Sequence, residues 1–372
     1  MASTHSPTGI ERLMKPHLAI LGSYTPPRPV KTAKAKAEVL ARPMIKLNAN
    51  ENPYGCSPRV LQALATCDFL NRYPDAMQVE LRQYLEEYTG ISAEHIVVTC
   101  GGAQVVDFVL DLFLNPGDEV INCEPTFDYF RFKIEELGGI SKEVVRDEKF
   151  AVNVSVVKAA IREQTKLIII NNPNNPTGNT TPQKDILELV HTGLPVLVDE
   201  AYYEFCGETV APLVSQYENL MVLRSFSKWA GLAGLRVGYG IFPRIIANCL
   251  LKIKPPFNVG AATLVAVRES VADRNYLMDK VKTIITERER LFAELSRLKF
   301  LKPYPSRANY ILCAVPERTA GIIQQGLEER GILIRIYYTQ LLRDYIRPTV
   351  GKPEENDALI KALREIGEEI SG

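Results

Sequence analysis

"NLMVLRSFSKWAGLAGLRVGYG", residues 219–240, joins two kinds of sequence that seldom meet. Residues 219–224 form a short apolar run that reads as a buried strand. Directly after it come Ser225, Ser227 and Lys228, then a Gly-rich segment with Arg236 close behind. Lysine is usually a surface residue with a solvated ammonium. Among apolar and tiny neighbours at the end of a buried strand, it is either a phosphate ligand or a reactive amine.

The same pattern repeats outward from this stretch. "HIVVTC" (95–100), "DEVINCEP" (118–125), "KLIIINNP" (166–173) and "PVLVDEAYYEF" (195–205) are short apolar runs with polar ends. Between them lie helical patterns: "SPRVLQALATC" (57–67), "VELRQYLEEYTG" (79–90) stopped by Gly90, "AQVVDFVLDLFLN" (103–115) ended by Pro116-Gly117, and "DYFRFKIEELGG" (128–139). Helices alternating with Val/Ile/Leu runs predict an α/β fold, a mostly parallel sheet covered by helices on both faces. The style changes near residue 262. A long charged amphipathic helix (272–298) is followed by the run "ANYILCAV" (308–315), strands at 332–338 and 345–351 and helices at 320–331 and 355–370. That reads as a smaller α+β domain. The chain therefore divides into an N-terminal arm and small-domain segment (1–56), a large domain (57–261) and a C-terminal small domain (262–372). Residues 1–43 are irregular, and "SYTPPRPVKTAKAKA" (23–37) reads as an extended arm.

Bulk properties exclude several classes. The 44 acidic residues balance 44 basic ones, so no net field draws the chain to nucleic acid or to an anionic membrane. The 7 cysteines include no C-x-x-C pair and are odd in number, which argues against a metal site or a disulfide framework and for a reducing compartment. No apolar run reaches the ~18 residues a membrane helix needs. The N-terminus lacks the apolar core of a secretory signal. A cytoplasmic protein is expected, with a processed plastid form left open.

In open α/β sheets ligands bind beyond the carboxyl ends of the strands. Four strand ends carry polar groups here. Gly101-Gly102-Ala103-Gln104 opens a helix, whose first N–H groups suit a phosphate. "NNPNNPTGN" (171–179) places amides at the sheet edge, and Asn175 is positioned to donate to an oxygen on a bound ring. Asp199 ends a buried strand and needs a cation, either a structural Arg or Lys or a protonated ring nitrogen. Lys228 follows the fourth strand with two hydroxyls and an arginine. Together they describe a pocket for a small aromatic phosphate. No G-x-G-x-x-G or G-x-x-x-x-G-K-[ST] is present to favour a dinucleotide or a P-loop.

"NPNNPTG", "VLVDEAYYEF", "RSFSKWAGLAGLRVGY" and "RYPD" resemble the fold-type I aminotransferases that use pyridoxal phosphate. "LNANENPYG", "PGDEVINCEPTFDYF", "FSKWAGLAGLRVGY" and "IRPTVGKPEEND" resemble, more narrowly, the histidinol-phosphate aminotransferases. The likeness runs from about Tyr24 to the last helix. It implies transamination between L-histidinol phosphate and 2-oxoglutarate in histidine biosynthesis. Lys228 then matches the lysine that bonds the cofactor aldehyde and afterwards acts as base. Asp199 matches the partner of the pyridine nitrogen. Tyr202 and Asn175 match the groups on the ring's phenolic oxygen, and Phe127 the aromatic stacked on its face. The resemblance gives the phosphate to Gly102, Ala103, Ser225, Ser227 and Arg236, and counts Gln104 among the cofactor-binding residues. Tyr73 matches a tyrosine that reaches the neighbouring subunit's phosphate, which implies a homodimer with shared sites. On the substrate side, Arg347 matches the carboxylate-gripping arginine and Arg335 a second one for the substrate phosphate. Tyr24 and Asn50 match groups near the substrate.

The chain departs from the family's usual pattern at three places. Gln104-Val105 follow the Gly-Ala turn instead of Asp-Glu, Pro348 follows Arg347, and Ile336 stands where Asp is common. An aromatic amino-acid aminotransferase or a threonine-phosphate decarboxylase uses closely similar machinery and remains the alternative reading.

Overall fold

The computed structural model describes residues 9–19, 21–27 and 44–371. Residues 1–8, 20 and 28–43 of the predicted arm lie outside the described residues. Of its described residues, 21–27 are irregular as predicted, whereas Gly9–Leu13 and Pro16–Ala19 form 3-10 turns.

Twelve strands occur among the described residues. They are β1 (Ile45–Leu47), β2 (Ile96–Thr99), β3 (Glu119–Glu124), β4 (Ile140–Val145), β5 (Thr165–Asn171) and β6 (Val196–Asp199). β7 (Leu220–Ser225), β8 (Gly238–Ile241), β9 (Lys302–Pro303), β10 (Cys313–Ala314), β11 (Ile332–Ile336) and β12 (Tyr345–Arg347) follow. The larger sheet has the order β2-β8-β7-β6-β5-β3-β4. Its ladders are parallel except the two made by β8, which runs against β2 and β7.

Both faces of this sheet are apolar. Ile168, Ile170, Val196, Val198, Leu220 and Val222 enter one core cluster. Their sequence neighbours Leu167, Ile169, Leu197, Met221 and Leu223 enter the other. Successive side chains on a strand point to opposite faces, so a strand buried on both sides must read as an unbroken apolar run. The smaller sheet, β1-β11-β12-β10-β9, takes one strand from before the large domain and the rest from the C-terminal part. β1 pairs parallel with β11, and this register carries residues 48–52 toward the carboxyl edge of the larger sheet.

Several helices were not evident in the sequence pattern, among them Val154–Ala160, Gln183–Val190 and Arg244–Ile253. Helix Ala261–Ala272 packs on the helices Pro58–Ala65 and Val79–Thr89. Among the described residues no helix is long and apolar enough to cross a membrane.

Candidate active site

β5, β6 and β7 are adjacent and parallel, so Asn171, Asp199 and Ser225 end side by side. A cavity of about 360 Å³ opens at these ends. Its floor is built from Asp199, Tyr202, Asn175 and Lys228. Asp199 is 5% exposed, and among the described residues its carboxylate accepts one hydrogen bond, from the Ala201 N–H at 2.9 Å. Burial pushes the carboxyl up to about 7, with the neighbouring Glu200 charge adding to the rise. A buried carboxylate so poorly provided for calls for a cationic partner.

Lys228 Nζ donates to the Ala49 carbonyl at 3.1 Å. Burial, followed by the Arg347 guanidinium, lowers this amine from its ordinary 10.5 to about 8. Tyr202 Oη accepts from Asn50 Nδ2 at 2.9 Å, and burial raises the phenol to about 12. Asn50 itself is fixed by its N–H donating to Thr349 Oγ1 at 2.9 Å and by Asn309 Nδ2 donating to its carbonyl at 3.1 Å. Its φ of 53° lies in the left-handed region, which Asn tolerates better than most residues. Asn175 Oδ1 accepts from Arg347 Nη1, so its amide nitrogen is the group left to donate.

The cavity's second part is an anion cup. Gly102 and Ala103 occupy the first turn of helix Gly102–Phe113, where N–H groups have no intrahelical acceptor. Ser225 and Ser227 line the cup, with the Ser227 N–H donating to Ser225 Oγ at 3.1 Å. Arg236 closes it. Gly101 has φ of 80°, and a Cβ there would stand 2.4 Å from Arg236 Nη2. A Cβ on Gly238 would stand 2.5 Å from the Gly102 nitrogen. Two glycines thus let a guanidinium and a strand approach the helix terminus closely. Free N–H groups, two hydroxyls and a guanidinium at one helix N-terminus suit a phosphate.

The mouth carries Arg335 and Arg347, paired directly opposite each other on β11 and β12. Like charges so placed repel, which favours an anion between or beside them. Arg347 is 5% exposed, and its Nη2 donates to the Asn48 carbonyl at 3.1 Å; its Nε is buried with no partner among the described residues. Arg335 Nη2 donates to the Thr25 carbonyl at 2.8 Å. Tyr24 lines the mouth edge-on to Tyr129, with ring centroids 5.9 Å apart. Segment 21–27 therefore lies over its own chain's cavity. Phe127 also lines the wall, packed edge-on to Phe130.

Two residues assigned to the cofactor by resemblance do not line the cavity. Gln104 Oε1 accepts from the Cys100 N–H at 2.8 Å and from Asn258 Nδ2 at 2.9 Å. The reason is local: the helix begins at Gly101, which has no side chain to cap it, and the side chain three residues on reaches back instead. Tyr73 is 82% exposed and stacks on Phe257 at 4.4 Å, outside the cavity.

Three residues of the site escaped sequence reading. Asp128 and Tyr337 line the cavity; Asp128 lies in "PGDEVINCEPTFDYF" and Tyr337 in the predicted strand 332–338, where neither stands out from its neighbours. Asn174 is fully buried. Its Oδ1 accepts from Thr126 Oγ1 at 2.7 Å and Arg146 Nη2 at 3.1 Å, and its Nδ2 donates to the Pro125 carbonyl at 2.9 Å. It ties the loop bearing Asn175 to the loop bearing Phe127. Among the described residues no cluster of three or more His, Cys, Asp or Glu side chains could hold a metal ion.

The profile of the family described as "Aminotransferase class I and II" matches residues 42–363. The chain belongs to that family. Two relatives are named histidinol-phosphate aminotransferases. One, from Dehalococcoides mccartyi, is 49% identical over 87% of this chain and 91% of its own length. The other, a chloroplastic form from Arabidopsis thaliana, is 39% identical over 95% and 86%. The crystal structure of a histidinol-phosphate aminotransferase from Sinorhizobium meliloti, in complex with pyridoxal-5'-phosphate, superposes with a TM-score of 0.85. It covers 96% of this chain and 98% of that one at 24% identity, a likeness of fold. In a class I and II aminotransferase, a lysine, a buried carboxylate and an anion cup in one cavity are what a pyridine phosphate carrying an aldehyde requires. The residues present fit that group.

Proposed function

We propose that this chain is a pyridoxal-phosphate-dependent aminotransferase acting between L-histidinol phosphate and 2-oxoglutarate. The observation that carries the reading is the facing pair Arg335 and Arg347 at the mouth of the cavity that holds Lys228. Two cations serve substrates that bear a phosphate in one half-reaction and carboxylates in the other. The names of the relatives at 39 to 49% identity support the same substrate. No observation favours the aromatic amino-acid or decarboxylase alternative over it.

When bound, pyridoxal phosphate supplies an aldehyde for amine capture and a ring that accepts electrons from the substrate carbon. Gly102 and Ala103 N–H groups, Ser225, Ser227 and Arg236 hold its phosphate in this reading. Asp199 keeps a proton on the ring nitrogen, the cation that its buried carboxylate lacks. Tyr202 and Asn175 orient the phenolic oxygen, and Phe127 covers the ring face. Lys228, with its pKa near 8, offers a neutral amine at mildly alkaline pH. Once displaced by substrate it moves the proton from the substrate carbon. Arg347 grips the carboxylate of glutamate or 2-oxoglutarate, and Arg335 meets the phosphate of histidinol phosphate.

The protein acts as a cytoplasmic homodimer in this reading. Tyr73, exposed and outside its own cavity, is then free to serve the partner's phosphate cup.

The test is a coupled assay with a substrate panel. Histidinol phosphate is converted in a 2-oxoglutarate-dependent reaction far better than phenylalanine, and Arg335→Ala lowers its kcat/KM far more than that for glutamate. Absence of turnover, or equal losses for both substrates, overturns the reading.

A further inference from the structure

Asp128 is a carboxylate in a cavity otherwise arranged to attract anions. It stands at the N-cap position of helix Tyr129–Glu136, yet its side chain caps nothing, and its backbone is already helical at φ −51° and ψ −23°. An Asp at that position ordinarily accepts a hydrogen bond from the first turn. The nearest cation, Arg335 Nη2, is 3.9 Å away, and that nitrogen already donates to the Thr25 carbonyl. Among the described residues no donor lies within hydrogen-bond distance of the Asp128 carboxylate.

Its surroundings narrow what it can serve. Phe127 precedes it on the cavity wall, and Tyr24 and Tyr337 line the same mouth. Burial raises the Asp128 carboxyl, opposed by the charges of Arg335, Arg347 and Arg131. A carboxylate here repels a bare phosphate or dicarboxylate. The Asp128 side chain is 38% exposed in the free protein, and covering it with substrate is favourable only if the substrate brings a donor of its own.

We infer that Asp128 is the specificity-determining acceptor for the N–H of the substrate's imidazole ring, beside Arg335, which takes the phosphate. This rests on the reading of histidinol phosphate as substrate and adds the residue that separates it from aromatic amino acids. A benzene ring has no N–H. Seated there, it leaves Asp128 desolvated and unpaired, and sites built to bond a substrate N–H reject analogues lacking it.

The experiment compares Asp128→Leu, which has no acceptor, with wild type as holoenzymes, using steady-state kinetics for L-histidinol phosphate, glutamate and phenylalanine. Inhibition constants for imidazole-free propyl phosphate and phosphate-free L-histidinol complete it. Asp128→Leu lowers kcat/KM for histidinol phosphate about 10- to 100-fold more than for glutamate, the range for a hydrogen bond to a charged group. It weakens L-histidinol by a similar factor, leaves propyl phosphate unchanged or tighter, and narrows the preference over phenylalanine. Equal weakening of propyl phosphate makes Asp128 a support for Arg335 and overturns the inference, as does an equal loss for glutamate. A wild type that converts histidinol phosphate while the variant is indistinguishable from it overturns this inference alone. A wild type that neither converts histidinol phosphate nor binds L-histidinol overturns both readings.

Discussion

Lys228 is the residue on which the proposed chemistry turns. Its amine is held to the Ala49 carbonyl and lowered to about 8 by burial. Lys228→Ala is expected to reduce turnover by about 100- to 10,000-fold, the span assigned to a positioned acid–base group. Stopped-flow absorbance of the glutamate half-reaction measures it, and a loss under tenfold contradicts the role. Gly101 tests the anion cup. An alanine there would carry its methyl 2.4 Å from Arg236 Nη2 and keep a left-handed φ. Gly101→Ala is expected to weaken pyridoxal phosphate binding tenfold or more, read by titration of the cofactor-free protein. Unchanged affinity would show that Arg236 can move aside without loss.

At the scale of elements, the loop 171–179 and the start of helix Tyr129–Glu136 share one buried polar network. Asn174 joins Thr126, Arg146 and the Pro125 carbonyl, while Arg146 Nε donates to the Cys123 carbonyl at 2.9 Å. Removing one member strands the others, each at roughly 1–3 kcal/mol. Asn174→Ala is expected to lower stability by about 3 kcal/mol or more in denaturant titration and to reduce turnover as well, because Asn175 and Phe127 lose their shared anchor. Lost stability with full activity would show that the two loops are positioned independently. The motif's turn-forming residues were legible in the sequence. The direction in which Asn174 faces was not, because adjacent asparagines look alike until the chain is folded.

For the whole molecule, three carboxyls, the buried Asp199 and Glu204 and the half-buried Glu124, are each pushed up to about 7 by removal from solvent. Between the ordinary carboxyl range and pH 7 the folded chain holds protons that the unfolded chain has released. Stability of the cofactor-free protein therefore falls as pH rises through that window. Lys228 acts oppositely: between about 8 and 10.5 the folded chain holds fewer protons, so its contribution rises with pH. Thermal melts from pH 5 to 7.5 are expected to drop by several degrees, and Asp199→Asn to flatten the drop. A flat wild-type profile contradicts these assignments. The proposed dimer has its own test. Mixing Tyr73→Ala with Lys228→Ala subunits, after reversible dissociation, is expected to restore part of the wild-type activity. One site in the mixed dimer then carries both intact groups. No recovery removes the shared-site arrangement.

The apolar runs at 166–170, 195–198 and 219–224 determined the parallel sheet by themselves, because a strand buried on both faces has no room for polar alternation. The polar clusters after those runs also marked the cavity floor, since a parallel sheet gathers its strand ends at one edge. The antiparallel β8 was not visible, because a short Gly-Tyr-Gly-Ile run carries no direction. The parallel union of β1 with β11 was hidden because it joins segments nearly 300 residues apart. Only the tertiary structure decided that Arg335 faces Arg347 and that Asp128 opens into the cavity. Register and rotamer are settled by neighbours distant in the chain, and local sequence has no access to them.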